Sequence, residues 1–246
     1  MTRWCCVCAY DGTGFHGWQS QPNKNTIQDT IEQWLFYIFK KNIRIFGSGR
    51  TDAGVHANNQ VFHFDADWKH GENKLLLALD SKLPKNISIK SIQKVENNFH
   101  AQFSVIKKRY VYRLREGIAN PFEYKFLWEL KSKKLDIQKM NTLGQALLGC
   151  HDFIAFGAKR KDDKNECTIK TMHSLSFSRQ GNYITLSTEA SGYLYKMVRT
   201  IVGTMVEVGI GALSQNYVLE CFTDKQRKEK IVTAPALGLF LDKVYY

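Results

Sequence analysis

No stretch of the chain is apolar for long enough to cross a membrane, and the opening Met1-Thr2-Arg3-Trp4 lacks the apolar run of a secretory signal. A cytoplasmic protein without a membrane partner is expected. The six cysteines never pair as C-x-x-C: Cys5, Cys6 and Cys8 crowd one apolar run, and Cys150, Cys167 and Cys221 are scattered. Cys150-His151 has no second cluster at zinc spacing, so reduced, mostly buried thiols and no metal are expected. Acids are scarce too, with 23 Asp and Glu against 35 Lys and Arg, a formal net charge of +12. No Pro- or Gly-rich linker marks the middle of the 246 residues, a length that suits one large domain or two small ones.

The cationic excess is uneven. Residues 1–105 carry 12 Lys and Arg against 9 acids, whereas residues 106–246 carry 23 against 14. The densest clusters are Lys107-Lys108-Arg109 (with Arg113 and Arg115 following), Lys159-Arg160-Lys161 and Lys225-Arg227-Lys228-Lys230. Any one of them is an ordinary solvated surface. Together they point to a polyanionic partner. No basic face is paired with a strong apolar one, which favours nucleic acid over a lipid surface.

Hydrophobic periodicity gives the same supersecondary unit twice. Trp4–Tyr10 reads as a buried strand, and Asn25 as the cap of a helix whose stripe is Ile27, Ile31, Trp34, Leu35, Ile38 and Phe39. Strands at 43–46 and 60–64, a short helix at 73–83 ending before Pro84, and a strand at 87–92 complete the order β-α-β-β-α-β. The second half repeats it with a strand at 109–115, an extra strand at 124–130 and a helix capped by Asp136. Strands at 169–177 and 183–187 are joined by a turn at Gln180-Gly181-Asn182, and a long helix carries Leu194 to Met205. A helix near 217–222 and a closing strand at 238–244 end it. The expectation is an α+β protein of two ferredoxin-like units, 1–105 and 106–246. Their mostly antiparallel sheet is backed by helices, with a catalytic groove where the halves meet.

Two glycine-rich segments stand out. Gly12-Thr13-Gly14-Phe15-His16-Gly17 fits G-x-G-x-x-G, but no helix opens at its last glycine and the strand order is wrong for a dinucleotide fold. It remains a loop with Phe15, Trp18 and the amides of Gln19, Gln21 and Asn23. That loop is either a packed Ω-loop plugged by Trp18 or an RNA contact. The second segment is Gly47-Ser48-Gly49-Arg50-Thr51-Asp52-Ala53-Gly54-Val55-His56-Ala57. Its glycines leave the backbone open to close approach, and it holds one carboxylate on a loop between two strands. A tight turn is the plain reading. The Arg two places before the Asp shifts the balance toward function.

Here the chain resembles the tRNA pseudouridine synthase A family. The resemblance rests on Tyr10-Asp11-Gly12-Thr13, Phe15, Gly17-Trp18-Gln19 and Gln21-Pro22, and on Gly49 through Ala57. It continues in Phe99-His100-Ala101, Arg109-Tyr110, Tyr112, Met197-Val198-Arg199, Ile201-Val202-Gly203 and Thr233-Ala234-Pro235-Ala236 with Gly238-Leu239. It implies an isomerase, working without cofactor or metal and as a homodimer, that converts uridines at tRNA positions 38–40 in the anticodon stem-loop. By motif, Asp52 is the nucleophile, Tyr110 packs against the target base, and Arg199 pairs with the aspartate. Arg50, Phe99 and His100 lie near the displaced base and the RNA strand. Two departures bear on substrate range: Gln102 stands where Arg is common, and Ser191-Gly192-Tyr193 replaces a more usual Asn-x-Phe.

The chemistry suits the residues. One ionised carboxylate can attack, form a covalent intermediate and leave. Burial under RNA would raise its pKa and a nearby cation lower it, a task open to Arg199, which lies off the apolar stripe of its helix. An extruded base costs a few kcal/mol, so Arg50 would fill its place and an aromatic ring hold it. Tyr110 and Tyr112 face the same way along a strand, and only the resemblance selects Tyr110. An RNA-binding module without chemistry would give Asp52 no reason to sit among cations. A glycoside hydrolase would want a second acid, and only Asp65 and Asp67 are near in sequence, beyond the next strand.

Overall fold

The computed structural model describes residues 1–158 and 167–246, so the Lys159-Arg160-Lys161 cluster lies outside the described residues. The chain divides into two compact units, Met1–Ile106 with Phe240–Tyr246, and Lys107–Leu239. Both are α+β, with mostly antiparallel strands. Among the described residues no helix is long and apolar enough to cross a membrane.

In the first unit the expected order is present: β1 (Thr2–Tyr10), α1 (Ile27–Phe39), β2 (Phe46–Gly47), β3 (His56–Ala66), α2 (Glu72–Asp80) and β4 (Ile87–Val95). Strand β1 is central, antiparallel to β3 on one side and β4 on the other, and β2 pairs with the far edge of β3. Thr26, rather than Asn25, caps α1: its hydroxyl accepts the Asp29 N–H at 3.1 Å. That position lets the Asp29 carboxylate accept a 2.6 Å bond from the Thr26 hydroxyl and another from Ser20, which ties the helix start to the preceding loop. Ile27, Ile31 and Leu35 are fully buried, each contributing roughly 1.5–3 kcal/mol. Trp34, Ile38 and Phe39 flank them half-exposed. Strand β3 is buried through Gln60–Phe64 without alternation, because both faces are covered. Phe62 meets Trp18 and Phe64 meets Phe39 on one face, while His63 lies against Phe46 and His100 on the other.

The second unit contains β5 (Lys107–Arg115), β6 (Trp128–Glu129), α3 (Ile137–Ala146), β7 (Gly149–Asp152), β8 (Ile169–Gln180), β9 (Tyr183–Ala190), α4 (Met197–Gly209) and α5 (Gln215–Thr223). Its strand order is β5-β9-β8-β7. Asp136 caps α3 as expected. The extra strand foreseen at 124–130 shrinks to β6, and β7, absent from the expectation, forms because the backbone of Gly149–Asp152 pairs with β8. Helix α4 is buried on nearly every side, including Thr200 and Thr204. The last strand, β10 (Leu239–Tyr245), pairs in parallel with β3, Phe240 opposite His56 and Leu241 opposite Ala57. Four cysteines are buried, but Cys150 and Cys167 are exposed.

Glu116, whose side chain is 0% exposed, organises one end of the second unit. It accepts from both terminal nitrogens of Arg179 at 2.8 and 2.9 Å, from Lys134 at 3.0 Å and from the Leu135 N–H at 2.8 Å. Burial pushes its carboxyl up, but Arg179, Leu135 and Lys134 outweigh it and hold the group at about 2.

The loop of residues 12–18 lies backbone to backbone on residues 51–55. Trp18 N–H donates to Thr51 C=O at 3.1 Å, and Gly12 N–H donates to His56 Nδ1 at 3.1 Å. A Cβ on Gly12 would stand 2.1 Å from the Val55 carbonyl oxygen. Trp18, 1% exposed, is the plug of this loop, against Tyr10 and Phe62.

Two outcomes follow from these contacts. Glu116→Gln should lower unfolding stability by about 3 kcal/mol at neutral pH, because it removes the charge that Arg179 and Lys134 face and replaces one acceptor oxygen with an amide donor. The folded-state pKa lies below the unfolded one, so this contribution is present above about pH 4.5 and fades as pH falls toward about 2. Urea titrations of both proteins across that window should show the gap closing; a gap independent of pH contradicts the assignment. Gly12→Ala should displace the 51–55 loop while leaving the strands in place. Its signature is faster amide hydrogen exchange confined to 12–18 and 51–55.

Candidate active site

The candidate residues fall into two groups, Arg50, Asp52, Phe99 and His100 in the first unit and Tyr110 and Arg199 in the second. Asp52 follows β2 on the loop that returns as β3. Its neighbours are pinned on both sides. Thr51 is buried, and its hydroxyl lies 2.8 Å from the Tyr10 hydroxyl. The Asp52 carbonyl accepts the Val55 N–H at 3.1 Å, closing a turn. Upstream, the Ser48 hydroxyl donates to Gln60 Oε1 at 2.7 Å, and Gln60 Nε2 returns to the Gly49 carbonyl at 2.9 Å. The backbone is thus fixed before and after the carboxylate, while Asp52 is half-buried and Arg50 is exposed. Fixed backbone with partly accessible side chains is what a reactive loop requires.

Asp65 is unavailable as a second acid. It sits at the opposite end of β3 from His56 and forms a forked pair with Arg3 at 2.8 and 2.7 Å, which holds its carboxyl below the usual range. Asp67 is exposed beside the N-terminal amine at 3.5 Å.

Phe99 and His100 belong to a turn after β4. Phe99 packs on Tyr246, ring centroids 4.9 Å apart, and Arg3 donates to its carbonyl at 2.9 Å. His100 stacks on the exposed Phe103 at 4.2 Å, and its Nδ1 accepts the N–H groups of Gln102 and Phe103 at 3.1 and 3.3 Å. Burial, then Arg3, lowers the His100 pKa, consistent with a neutral ring whose Nδ1 accepts. His63 beneath it is lowered to about 4, chiefly by burial, and its Nδ1 accepts the Ala101 N–H at 3.2 Å.

In the second unit, period two puts Lys108, Tyr110 and Tyr112 on one face of β5. Tyr112 is fully buried, and its hydroxyl donates to the Pro235 carbonyl at 2.8 Å. Tyr110 is 8% exposed. Burial and the charge of Lys170 lower Lys108 to about 8.

Arg199 is in the first turn of α4, where the helix dipole disfavours a cation by about 0.3–1 kcal/mol. It is held there nonetheless. Its Nε donates to the Ala234 carbonyl at 2.9 Å, and the Ala234 N–H donates to the Arg199 carbonyl at 2.9 Å. The hydroxyls of Thr200 and Thr233 lie 3.1 Å apart. Gly203 makes this close approach possible, since a Cβ there would be 2.7 Å from the Val232 carbonyl oxygen. The segment Thr233–Pro235 therefore braces both Arg199 and Tyr112. Its one signal in the sequence is a proline beside small residues, Thr233-Ala234-Pro235-Ala236, with no side chain that itself suggests this bracing.

Among the described residues no group of three or more His, Cys, Asp or Glu is gathered to hold a metal ion.

A family model described as tRNA pseudouridine synthase matches residues 7–104 and 144–246, spans that include the Asp52 loop, Phe99, His100 and Arg199 but not Tyr110. A protein named tRNA pseudouridine synthase A from Borreliella afzelii (strain PKo) is 41% identical over 252 residues, covering 100% of both chains. Those of the same name from Brevibacillus brevis (strain 47 / JCM 6285 / NBRC 100599) and Thermoanaerobacter sp. (strain X514) are 38% identical over 249 residues and 37% over 241, covering 100% and 98% of both chains. The chain belongs to the tRNA pseudouridine synthase family, enzymes that isomerise uridine to pseudouridine in tRNA.

Proposed function

We propose that this chain isomerises uridines at tRNA positions 38–40, in the anticodon stem-loop, with Asp52 as the nucleophile. The observation that carries the reading is a half-buried carboxylate on a loop fixed at both flanks, in a chain of this family with an excess of twelve positive charges. The reaction breaks the bond from uracil N1 to ribose C1′, turns the base and joins C5 to C1′. The C5 proton leaves and N1 ends protonated, so composition and oxidation state are unchanged. The Asp52 carboxylate attacks, is held as an ester and departs when the carbon–carbon bond is made. Extruding the base from a stem costs a few kcal/mol. Arg50, exposed two residues before Asp52, suits the space the base vacates, and the Tyr110 ring suits stacking on the extruded uracil. Arg199 supplies the cation that keeps the carboxylate ionised under bound RNA. Phe99 and His100 contact the RNA strand, and the basic clusters bind its phosphates. Gln102, lacking a charge, narrows or shifts the range of tRNAs accepted. The enzyme works without a cofactor, in the cytoplasm and as a homodimer.

Asp52→Asn should abolish pseudouridine formation on unmodified tRNA, a loss of at least about a thousandfold, while tRNA binding stays within a fewfold of wild type. Mapping pseudouridine on the product decides both the nucleophile and the positions; a fully active variant overturns the assignment, and modification outside the anticodon arm overturns the target. For the assembly, light scattering at working concentration should return twice the 28.4 kDa chain mass. A single-chain mass removes the dimer from the reading.

A further inference from the structure

A tyrosine that stacks on an extruded base must present its ring in one orientation. Strand β5 alone does not ensure this, since a strand fixes the direction of a side chain but not the rotation of its ring. Tyr112, next along the same face, is locked by its bond to Pro235. For Tyr110 the wall comes from elsewhere. We propose that Tyr193 is a positioning residue for Tyr110, standing against its ring so that the phenol meets the target uracil in a single orientation; this rests on the reading of Tyr110 as the base contact.

Tyr193 belongs to no helix or strand. It lies in the short connection from β9 to α4, which returns over the face of the sheet that carries Tyr110. The two rings stand 5.0 Å apart, centroid to centroid, at 84°. This edge-to-face arrangement opposes rotation of either ring, because the positive edge of one meets the negative face of the other. The far end of Tyr193 is held as well. Its hydroxyl lies 3.3 Å from Thr188 Oγ1 and 3.4 Å from the Lys108 carbonyl. Thr188 is the direct cross-strand partner of Tyr110, and Lys108 is its neighbour on the same face. Thr188 donates its own proton to the Ser174 carbonyl at 3.0 Å, so the single Tyr193 hydroxyl proton is shared between Thr188 Oγ1 and the Lys108 carbonyl. Both contacts to the Tyr193 hydroxyl are long for O–H···O bonds, so the ring contributes more to positioning than the hydroxyl does.

The connection itself is anchored. Ser191 N–H donates to the Thr171 carbonyl at 2.9 Å, and Ser191 Oγ accepts the Thr171 N–H at 3.0 Å. Leu194 is buried, and its carbonyl accepts the Met197 N–H at 3.0 Å, at the start of α4. The segment that sets the ring beside Tyr110 therefore also sets the first turn that bears Arg199.

The test compares Tyr193→Phe, Tyr193→Leu and Tyr193→Met with wild type in single-turnover assays with enzyme in excess. Affinity for tRNA and melting temperature are measured alongside. Misplacing a reacting group by about 1 Å costs on the order of a hundredfold, so a partly released ring should cost tenfold or more. The leucine and methionine variants should lose at least about tenfold in single-turnover rate with tRNA affinity within about twofold, and phenylalanine should restore the rate to within about threefold. Methionine is unbranched and gives a second folded variant should leucine destabilise the chain. An unchanged rate in either folded variant, a loss confined to affinity or melting temperature, or phenylalanine as damaging as leucine overturns the proposal. Wild-type protein that binds tRNA but forms no pseudouridine overturns the functional reading, and this proposal with it. Wild-type activity alongside unimpaired variants removes Tyr193 alone.

Discussion

The backbone contact between residues 12–18 and 51–55 is the constraint on which the Asp52 loop depends. Polar loop segments of this kind have no core of their own, and each unpaired amide would cost free energy if left dry. Here one loop satisfies the other: Trp18 N–H and Gly12 N–H are spent on Thr51 and His56. The contact is possible only because Gly12 lacks a side chain, with the Val55 carbonyl where its Cβ would be. Trp18 seals the space behind, and buried Gln28 couples the assembly to α1 and the strand edge through Ser20, Glu32 and Ile45. The result is a carboxylate whose backbone is rigid and whose side chain is only half covered.

The second unit solves a different problem, how to hold a cation where a helix repels it. Arg199 occupies the first turn of α4, and the reciprocal pair of bonds with Ala234 offsets the unfavourable dipole. Gly203 lets the bracing strand of chain approach, and Pro235 uses its carbonyl to fix Tyr112. Arg199 and Tyr112 are thereby held by backbone groups of an irregular segment rather than by a regular element. Glu116 shows the same economy at the other end of the unit: four donors on one carboxylate join β5, the approach to α3 and β8.

Much of this was legible in the residues. The stripe Ile27, Ile31 and Leu35, the alternation of β5 and the Gly181-Asn182 turn announce their elements, because each is local and its period survives any context. The errors share a cause. Asn25 and Thr26 are both good caps, and only the bond from the Asp29 N–H to Thr26 and the bond from Ser20 to the Asp29 carboxylate choose between them. Strand β7 has no alternation to read, since it exists by pairing with β8. Trp18 could have been plug or RNA contact until Tyr10 and Phe62 enclosed it.

The sequence by itself carried the family and named each candidate residue, because short motifs are written in adjacent positions; it assigned the closing strand to the second half, whereas Phe240–Tyr246 belongs with the first unit. It left Tyr110 and Tyr112 equivalent on one face of a strand. Tertiary structure separated them, since Pro235 takes one hydroxyl and Tyr193 stands against the other ring. It likewise decided that β10 pairs with β3 and that Gly12 meets Val55, contacts between residues far apart in the chain. Such partners are chosen by which backbone groups and side chains remain unsatisfied once the local elements have formed, and no window along the sequence contains that information.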